Sequence, residues 1–226
     1  MEIAVLPSLL AADPGRLADE CRRAAASGAD ALHVDIMDAH FVPNLSFGPA
    51  IVAMARRTVG TPLSVHLMMS RPARYVNRFV EAGGASVQIH IEASCNVPAV
   101  LAAIRRAGAR CGLTLKPATP PEAVYPLLRQ VDEILVMTVE PGYGGQAFLP
   151  AMLPKISAIR RQAQRQAAGN LPIMVDGGIN AATAAQCAAH GASAFVAGTA
   201  LFGLDDMQAG VAGLRRAAAD AYGTAL

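Results

Sequence analysis

The chain has 226 residues, of which 53% are hydrophobic, and a formal net charge of +2 at pH 7. That length allows one large domain with a substantial buried core. The basic residues are scattered as pairs along the chain, which argues against the concentrated charge of a nucleic-acid-binding surface. No apolar run reaches the roughly 18 residues that a membrane helix requires, so we expect no membrane partner.

The cysteines and the N-terminal segment indicate the compartment. Four cysteines, at positions 21, 95, 111 and 187, show neither CxxC spacing nor a disulfide framework, which favours a reducing environment. The first residues, MEIAVLPSLLAAD, lack a basic segment and enter a strand pattern at once, so we expect no signal or transit peptide. These features predict a cytoplasmic protein. The high apolar content favours a subunit surface buried in a homo-oligomer.

Short apolar runs alternate with helical patterns along the whole chain. The predicted strands are 3–7, 31–37, 63–68, 86–91, 111–116, 133–138, 173–176 and 194–197. The predicted helices are 15–27, 49–58, 72–82, 97–107, 121–129, 151–167, 181–189 and 205–221. Alternating strands and helices predict a parallel sheet, and eight such units in this length predict an α/β fold, a single-domain (β/α)8 TIM barrel over 1–226. The alternative is an open doubly wound sheet, which the lack of a GxGxxG after the first strand disfavours.

In such barrels the active site lies at the C-terminal ends of the strands, so polar residues should gather there. The stretch 32–44 is the most informative, because His33, Asp35 and Met37 share one face of a strand. Other chemically capable residues end or follow the remaining strands: Ser8, His66, Met68, His90, Glu92, Lys116, Met137, Asp176, Gly198 and Thr199. We expect no comparable set at the N-terminal strand ends.

Two imidazoles and two carboxylates converge on the predicted barrel mouth, from His33, Asp35, His66 and Asp176. This mixture of nitrogen and oxygen donors suits one divalent ion, Zn²⁺, Fe²⁺, Mn²⁺ or Co²⁺, without selecting among them. Each histidine taken alone is more simply a hydrogen-bonded core residue. Asp35 in a strand interior is costly to bury unless it is paired or ligating, which favours the metal interpretation. Two carboxylates so placed could also act as acid and base.

Three glycine-containing segments follow the last three strands, at 141–146, 176–178 and 197–199. Glycines let backbone N–H groups approach a ligand closely, and the loops after strands seven and eight are a frequent phosphate site in this fold. A single glycine pair would indicate only a tight turn, whereas three around one mouth predict phosphate binding. Met37, Met68 and Met137 are either core packing or an apolar lining over the reacting centre.

The motifs resemble those of the ribulose-phosphate 3-epimerase family, in order and over the whole chain. They are PSLLAAD at 7–13, HVDIMDAHFVPN at 33–44, VHLM at 65–68, PATP at 117–120, MTVEPGYGGQ at 137–146, VDGGIN at 175–180 and AGTALF at 197–202. The resemblance implies a metal-dependent enzyme that interconverts D-ribulose 5-phosphate and D-xylulose 5-phosphate. In this hypothesis two aspartates exchange protons at C3 through a metal-stabilised enediolate.

The resemblance also implies individual roles. The metal ligands would be His33, Asp35, His66 and Asp176, with Asp35 and Asp176 as the catalytic acid and base. The substrate contacts would be Ser8, His66, Gly142, Tyr143, Gly144, Gly145, Gly177, Gly178, Gly198 and Thr199, with 139–149 as a closing loop. Three positions depart from the family pattern: Ala39 and Tyr143 stand where Gly and Phe are usual, and Thr199 where Ser is usual.

Several alternatives stay open on the sequence. A related epimerase of D-allulose 6-phosphate would share the motifs, although the Gly144–Gly145 pair favours the pentose. A non-catalytic sugar-phosphate-binding barrel would not need the complete set of four ligands. A biosynthetic barrel enzyme that binds phosphate but no metal would not need two strand-end histidines.

Overall fold

The computed structural model describes residues 2–226 and contains one eight-stranded parallel sheet. The strands β1–β8 are Ala4–Pro7, Leu32–Met37, Leu63–Met68, Ser86–His90, Arg110–Leu115, Glu133–Met137, Ile173–Asp176 and Ala194–Ala197. The helices α1–α8 are Leu17–Ala26, Pro49–Thr58, Val76–Glu81, Val97–Arg106, Leu153–Arg165, Ala181–Ala189, Thr199–Phe202 and Met207–Ala221. Short 3₁₀ segments are Leu9–Ala11, Pro14–Arg16, Pro72–Arg74, Pro121–Gln130 and Pro150–Met152. The predicted (β/α)8 barrel is confirmed.

The strands follow one another around the barrel in the order β1-β8-β7-β6-β5-β4-β3-β2, and each neighbouring pair in this order forms a parallel ladder. The contact between β1 and β2 is slighter. It includes a bridge between Ser8 and His33 and a hydrogen bond from the Asp30 N–H to the Val5 carbonyl at 3.1 Å. Two side chains add to it: the Asp30 carboxylate accepts from the Val5 N–H at 2.7 Å, and the Ser8 hydroxyl donates to Asp35 at 2.6 Å. The barrel is therefore nearly closed, and its seam lies beside the first two strands.

Alternation along the strands builds two cores. Outward-facing residues such as Val34, Ile36, Val65 and Leu67 are buried against the surrounding helices in the larger cluster. A smaller apolar cluster fills the barrel between β1, β6, β7 and β8, and it includes Leu6, Leu135, Met174, Ala194 and Val196. Both cores follow from the period-two pattern of the strands. Among residues 2–226, no helix is both long and apolar enough to cross a membrane.

The other side of the barrel interior is polar, contrary to expectation. Ser64, Ser86, Gln88 and Glu133 are buried there, and Ser86 and Glu133 are the first residues of β4 and β6. Gln88 Nε2 lies 2.8 Å from Ser64 Oγ, 3.2 Å from Ser86 Oγ and within hydrogen-bonding distance of Glu133 Oε1, so its two N–H groups are shared among three acceptors. The expectation that the N-terminal strand ends carry no comparable polar set is therefore wrong. Their hydrogen bonds to one another offset part of the cost of burying them, although Gln88 Oε1 has no partner among residues 2–226.

Two segments differ from the predicted helices. The segment Pro121–Gln130, expected as a helix over 121–129, is a 3₁₀ segment. Pro126 lies inside it and lacks an N–H to donate, and in an α-helix its ring would clash with a preceding carbonyl, so α-helical pairing does not run through it. The short helix α7, Thr199–Phe202, lies in a segment for which the sequence predicts no helix.

Candidate active site

A cavity of about 500 Å³ opens at the C-terminal ends of the strands. Its walls include every residue predicted for the site except His33 and His66, which lie fully buried. The predicted residues that line it are Ser8, Asp35, Met37, Met68, Met137, Gly142, Tyr143, Gly144, Gly145, Asp176, Gly177, Gly178, Gly198 and Thr199. The fold thus brings together at one cavity predicted site residues that lie far apart in the sequence.

His33, Asp35, His66 and Asp176 form a compact cluster. Each offers one donor atom, and these atoms all lie within 4.8 Å of one another. His66 Nδ1 lies 3.2 Å from Asp35 Oδ1 and 3.9 Å from Asp176 Oδ2, and His33 Nε2 lies 3.4 Å from Asp35 Oδ1. Strand geometry explains the meeting. Alternation turns His33 and Asp35 inward on β2, and the parallel ladder places Asp35 opposite His66 on β3.

The cluster fits a divalent ion. His33 Nε2 is buried and has no hydrogen-bond partner among residues 2–226, although a buried polar atom is normally satisfied. It points toward the carboxylate of Asp35, so a cation there would give it a partner. Two imidazole nitrogens and two carboxylate oxygens form a donor set that several transition metals accept. The cluster therefore could bind a metal ion.

The two carboxyl groups have different pKa values. Burial would raise the pKa of Asp35, but the imidazoles of His33 and His66 outweigh it and hold that pKa below its usual range. Burial, reinforced by the carboxylate of Asp35, raises the pKa of Asp176 to about 7. One group thus favours the ionised form, and the other retains a proton near neutral pH. Opposite perturbations of neighbouring carboxyl groups are typical of acid–base sites.

The histidines are also perturbed in opposite directions. Burial lowers the pKa of His66 to about 4, which keeps its imidazole neutral. Burial also disfavours the charged form of His33, but the carboxylates of Asp35, Asp176 and Glu133 outweigh it and raise its pKa. A neutral imidazole is the form that can ligate a metal, so His66 is ready to bind at neutral pH.

Ser8 supports the carboxylate of Asp35. It follows β1, is buried, and donates its hydroxyl to Asp35 Oδ2 at 2.6 Å. The same oxygen of Ser8 accepts from the Leu10 N–H at 3.3 Å, at the start of the 3₁₀ turn Leu9–Ala11. In this structure Ser8 therefore contacts Asp35 and also lines the cavity beside it.

The glycine-containing segments line the opposite rim of the cavity. Gly177 and Gly178 have φ values of +120° and +65°, in the region that side chains disfavour. A Cβ on Gly178 would lie 2.5 Å from the Phe148 backbone nitrogen, so the two loops meet without room for a side chain. Asn180 follows and caps α6 by accepting from the N–H groups of Ala182 and Thr183. This close backbone packing is suited to presenting N–H groups to an anion.

Two hydrogen bonds tie the predicted closing loop, 139–149, to the loop after β2. The Asn44 side-chain amide donates to the Gly142 carbonyl at 2.7 Å, and the Tyr143 hydroxyl donates to the Pro43 carbonyl at 2.7 Å. Tyr143 is the residue that departs from the usual Phe, and its hydroxyl makes the second of these contacts. The loop thus lies against the cavity with Tyr143 more than half exposed.

The methionines agree with both interpretations offered by the sequence. Met37 and Met68 pack with Val42 in a small buried cluster, and Met137 belongs to the apolar cluster inside the barrel. All three methionines also line the cavity. They are therefore buried core residues that also form part of the apolar wall of the cavity.

Two residues beside the cluster have no predicted site role: His90 contacts His66, and Glu92 contacts His90. His90 Nε2 lies 2.9 Å from His66 Nε2, and His90 Nδ1 lies 3.1 Å from Glu92 Oε2. The sequence signal was their place at the end of β4, but the contact with His66 depends on strand register. Asp38, by contrast, shapes the next loop, because its carboxylate accepts from the N–H groups of His40, Phe41 and Ser70.

Comparison with known proteins agrees with these features. The sequence profile of the Ribulose-phosphate 3 epimerase family matches residues 4–202. The chain belongs to that family. The ribulose-phosphate 3-epimerase of Mycobacterium tuberculosis (strain ATCC 25618 / H37Rv) is 48% identical over 216 residues, which cover 95% of this chain and 92% of the relative. The ribulose-phosphate 3-epimerase of Bacillus subtilis (strain 168) is 39% identical over 213 residues, which cover 94% and 98%. The family resemblance and the expectation of an enzyme of this family are confirmed.

Solved structures with lower identity support the fold alone. KGPDC from Streptococcus mutans superposes with a TM-score of 0.69 at 11% identity, covering 99% of this chain and 100% of that one. Tryptophan synthase subunit alpha from Legionella pneumophila str. Paris superposes with a TM-score of 0.62 at 20% identity, covering 96% and 93%. Ribulose-phosphate 3-epimerase family membership rests on the sequence matches.

Proposed function

We propose that the protein inverts C3 of a ketose phosphate, most specifically D-ribulose 5-phosphate to D-xylulose 5-phosphate, and that it depends on a divalent metal. The single observation that carries this proposal is the cluster of His33, Asp35, His66 and Asp176, which places two carboxylates with opposite pKa shifts at one cavity. The names of the family relatives support the choice of a pentose phosphate.

The proposed metal ligands are the four residues of this cluster, and any of Zn²⁺, Fe²⁺, Mn²⁺ or Co²⁺ suits their donor atoms. A divalent ion held there would supply positive charge to stabilise the enediolate that forms when the C3 proton leaves. His33 Nε2, which has no hydrogen-bond partner within residues 2–226, supports this assignment.

The proposed acid and base are Asp35 and Asp176. They project from β2 and β7, which lie three strand positions apart around the barrel, so their carboxyl groups approach the cavity from different sides. One carboxylate removes the C3 proton, and the other carboxyl group delivers a proton to the opposite face, which inverts the centre. The hydroxyl of Ser8 holds Asp35 in place through its 2.6 Å hydrogen bond.

The remaining residues of the cavity are proposed to bind and enclose the substrate. Backbone N–H groups of Gly177, Gly178, Gly198 and Thr199 would receive the phosphate, far from the reacting carbon. Such remote binding contributes orientation that the reacting carbon alone cannot supply. The loop 139–149 would close over the sugar and exclude water, while the methionines provide an apolar wall.

The decisive experiment measures epimerisation and proton exchange together. Purified protein is given D-ribulose 5-phosphate in D₂O, and NMR follows both xylulose 5-phosphate and deuterium at C3. We expect both in the wild type and a fall of about 10²–10⁴-fold in Asp176→Asn, with the fold intact by circular dichroism. Asp220→Asn, on the exposed end of α8, is the matched control and should keep full activity. Near-normal turnover in Asp176→Asn would refute the two-aspartate assignment.

Two further arms test the metal and the substrate. Removing divalent ions with a chelator should abolish turnover, and adding Zn²⁺, Fe²⁺, Mn²⁺ or Co²⁺ should restore it. Undiminished activity in the chelated protein would favour a metal-free barrel enzyme. A higher kcat/KM for D-allulose 6-phosphate than for D-ribulose 5-phosphate would overturn the pentose assignment, and inactivity on both would favour a non-catalytic sugar-phosphate-binding barrel.

We further propose that the protein is cytoplasmic and a homo-oligomer, on the basis of its cysteine pattern and apolar content. Sedimentation equilibrium of the purified chain tests the second point, because a monomer at micromolar concentration would contradict it.

A further inference from the structure

Three side chains in contact, His66, His90 and Glu92, form a relay that leads from the metal-ligand cluster away from the cavity. His66 Nε2 lies 2.9 Å from His90 Nε2, and His90 Nδ1 lies 3.1 Å from Glu92 Oε2. The two imidazole rings are stacked, with centroids 5.0 Å apart and an interplanar angle of 25°. Both histidines are fully buried, so protein groups rather than bulk water must satisfy their ring nitrogens.

The far end of this relay is fixed by donors that act on Glu92. Its Oε1 accepts from the Lys116 N–H at 2.8 Å and from the Thr119 hydroxyl. A backbone N–H can only donate, so Oε1 must be an acceptor. Phe41 packs against His90, the middle residue of the three, with the two ring centroids 4.6 Å apart. Glu92 is thus held in one orientation with its second oxygen facing a shielded imidazole.

These contacts select one tautomer at each histidine. Glu92 Oε2 is an acceptor, so His90 Nδ1 carries the proton between them. In a neutral His90 the other nitrogen, Nε2, then has the lone pair and accepts from His66 Nε2–H. His66 is left with its lone pair on Nδ1, the atom that faces Asp35 Oδ1 at 3.2 Å in the cluster. This is the tautomer that can ligate an ion. The ionised Asp35 would by itself favour a proton on Nδ1, but His66 Nε2 and His90 Nε2 would then face each other as two acceptors at 2.9 Å, which is the shorter of the two contacts.

We infer that Glu92 and His90 are positioning residues, which act through His66 by holding its Nδ1 lone pair toward the divalent-ion site. This inference rests on the proposed function for its ion, whereas the tautomer of His66 can be measured without one. Outer partners of a ligating histidine commonly set its tautomer and ring orientation and raise metal affinity. His33, the other histidine of the cluster, has a different outer partner, because its Nδ1 lies 3.1 Å from the neutral hydroxyl of Ser64.

The substitution Glu92→Gln tests the relay because it should invert it. The Lys116 N–H still requires an acceptor, so the new amide oxygen takes the place of Oε1 and the NH₂ group faces His90. His90 Nδ1 must then accept, its Nε2–H donates to His66, and the His66 proton moves to Nδ1. The ligating lone pair is lost although the side chain differs by one atom type.

The first readout is the tautomer of His66 in the metal-free full-length protein, from long-range ¹H–¹⁵N NMR. We expect Nε2–H in the wild type and Nδ1–H in Glu92→Gln. The wild-type measurement needs no variant, so it decides the matter even if Glu92→Gln fails to fold. A wild-type His66 protonated on Nδ1, or an unchanged tautomer in a folded Glu92→Gln, would overturn the inference.

The second readout is the dissociation constant for Co²⁺, measured against a competing chelator. Glu92→Gln should raise it about 10–100-fold, while Glu122→Gln, the same change at an exposed position, should leave it unaltered. In a His90→Phe background the relay is already broken, so adding Glu92→Gln should change the constant less than twofold. Equal effects of Glu92→Gln in both backgrounds would refute the relay as the cause. If the protein shows the predicted tautomers but no epimerase activity, the proposed function is refuted, whereas the role of Glu92 and His90 in setting the tautomer of His66 is not.

Discussion

Replacing Gly178 by alanine probes how closely the rim of the cavity is packed. Gly178 has φ +65°, and a left-handed conformation costs an alanine roughly 1–2 kcal/mol. The added Cβ would lie 2.5 Å from the Phe148 nitrogen and 2.7 Å from its Cα. Ordinary contact begins at 3.4 Å, so the loop that carries Phe148 must withdraw by about 0.9 Å. Overpacking of this kind typically costs about 1–3 kcal/mol.

The two costs together predict a loss of roughly 2–5 kcal/mol in the free energy of unfolding if the loop stays in place. If the loop withdraws instead, part of this cost moves into function, because a 1 Å displacement in a substrate site can reduce turnover about 10²-fold. Gly178→Ala should therefore lower kcat/KM for D-ribulose 5-phosphate by about 10²-fold, because the rim is proposed to bind the phosphate that orients the substrate.

The assay combines urea unfolding with steady-state kinetics on the same preparations. Gly213→Ala is the matched control, because a Cβ at that position in α8 meets no described atom within 4 Å. We expect that control to keep its kinetics and to gain up to about 1 kcal/mol in stability, as helix propensity predicts. The reasoning about the rim is wrong if Gly178→Ala retains both the stability and the kcat/KM of the wild type.

Three more predictions concern the loops and the relay. Ala39→Gly should raise the free energy of unfolding by about 0.5–1 kcal/mol in urea titrations, because Ala39 has φ +57° and relief of that strain exceeds the entropy gained by the unfolded chain. Tyr143→Phe removes the hydrogen bond to the Pro43 carbonyl, worth about 1 kcal/mol, so KM should rise several-fold while kcat stays within about twofold; an unchanged KM would show that this bond does not hold the loop. Burial would raise the pKa of Glu92, but hydrogen bonds from His90, Thr119 and the Lys116 N–H outweigh it and lower that pKa to about 2. Ionised Glu92 therefore stabilises the fold fully at pH values above 4.5, its ordinary pKa, and this stabilisation is lost as the pH falls through about 2. The free energies of unfolding of the wild type and Glu92→Gln, measured in urea, should therefore become more similar as the pH is lowered.

The barrel and its mouth could be predicted because their signals are local. Period-two alternation placed His33, Asp35 and Met37 on one face, and the rule that strand ends form the site added His66 and Asp176. Neither step requires knowledge of which strands are neighbours.

The features that escaped prediction depend on register or on competing local forces. The contact of His66 with His90 requires β3 and β4 to be aligned to within one residue. The hydrogen bond between Gln88 and Glu133 depends on two ladders, β4–β5 and β5–β6. Sequence pattern shows parity but not register, so such pairs are invisible to it. The 3₁₀ segment Pro121–Gln130 has the apolar spacing of a helix, and the effect of Pro126 outweighed that spacing.

The slight contact between β1 and β2 links ligand binding to the integrity of the barrel. Ser8 stands on one side of this seam, and His33 and Asp35 stand on the other. Regions with few shared hydrogen bonds open locally at lower free energy than the global unfolding transition. A ligand that binds only the closed seam would oppose such opening by about 2.7 kcal/mol at a hundredfold excess over its Kd. A bound ligand would then stabilise the contact between β1 and β2, and the resistance of the protein to proteolysis would increase with the ligand concentration.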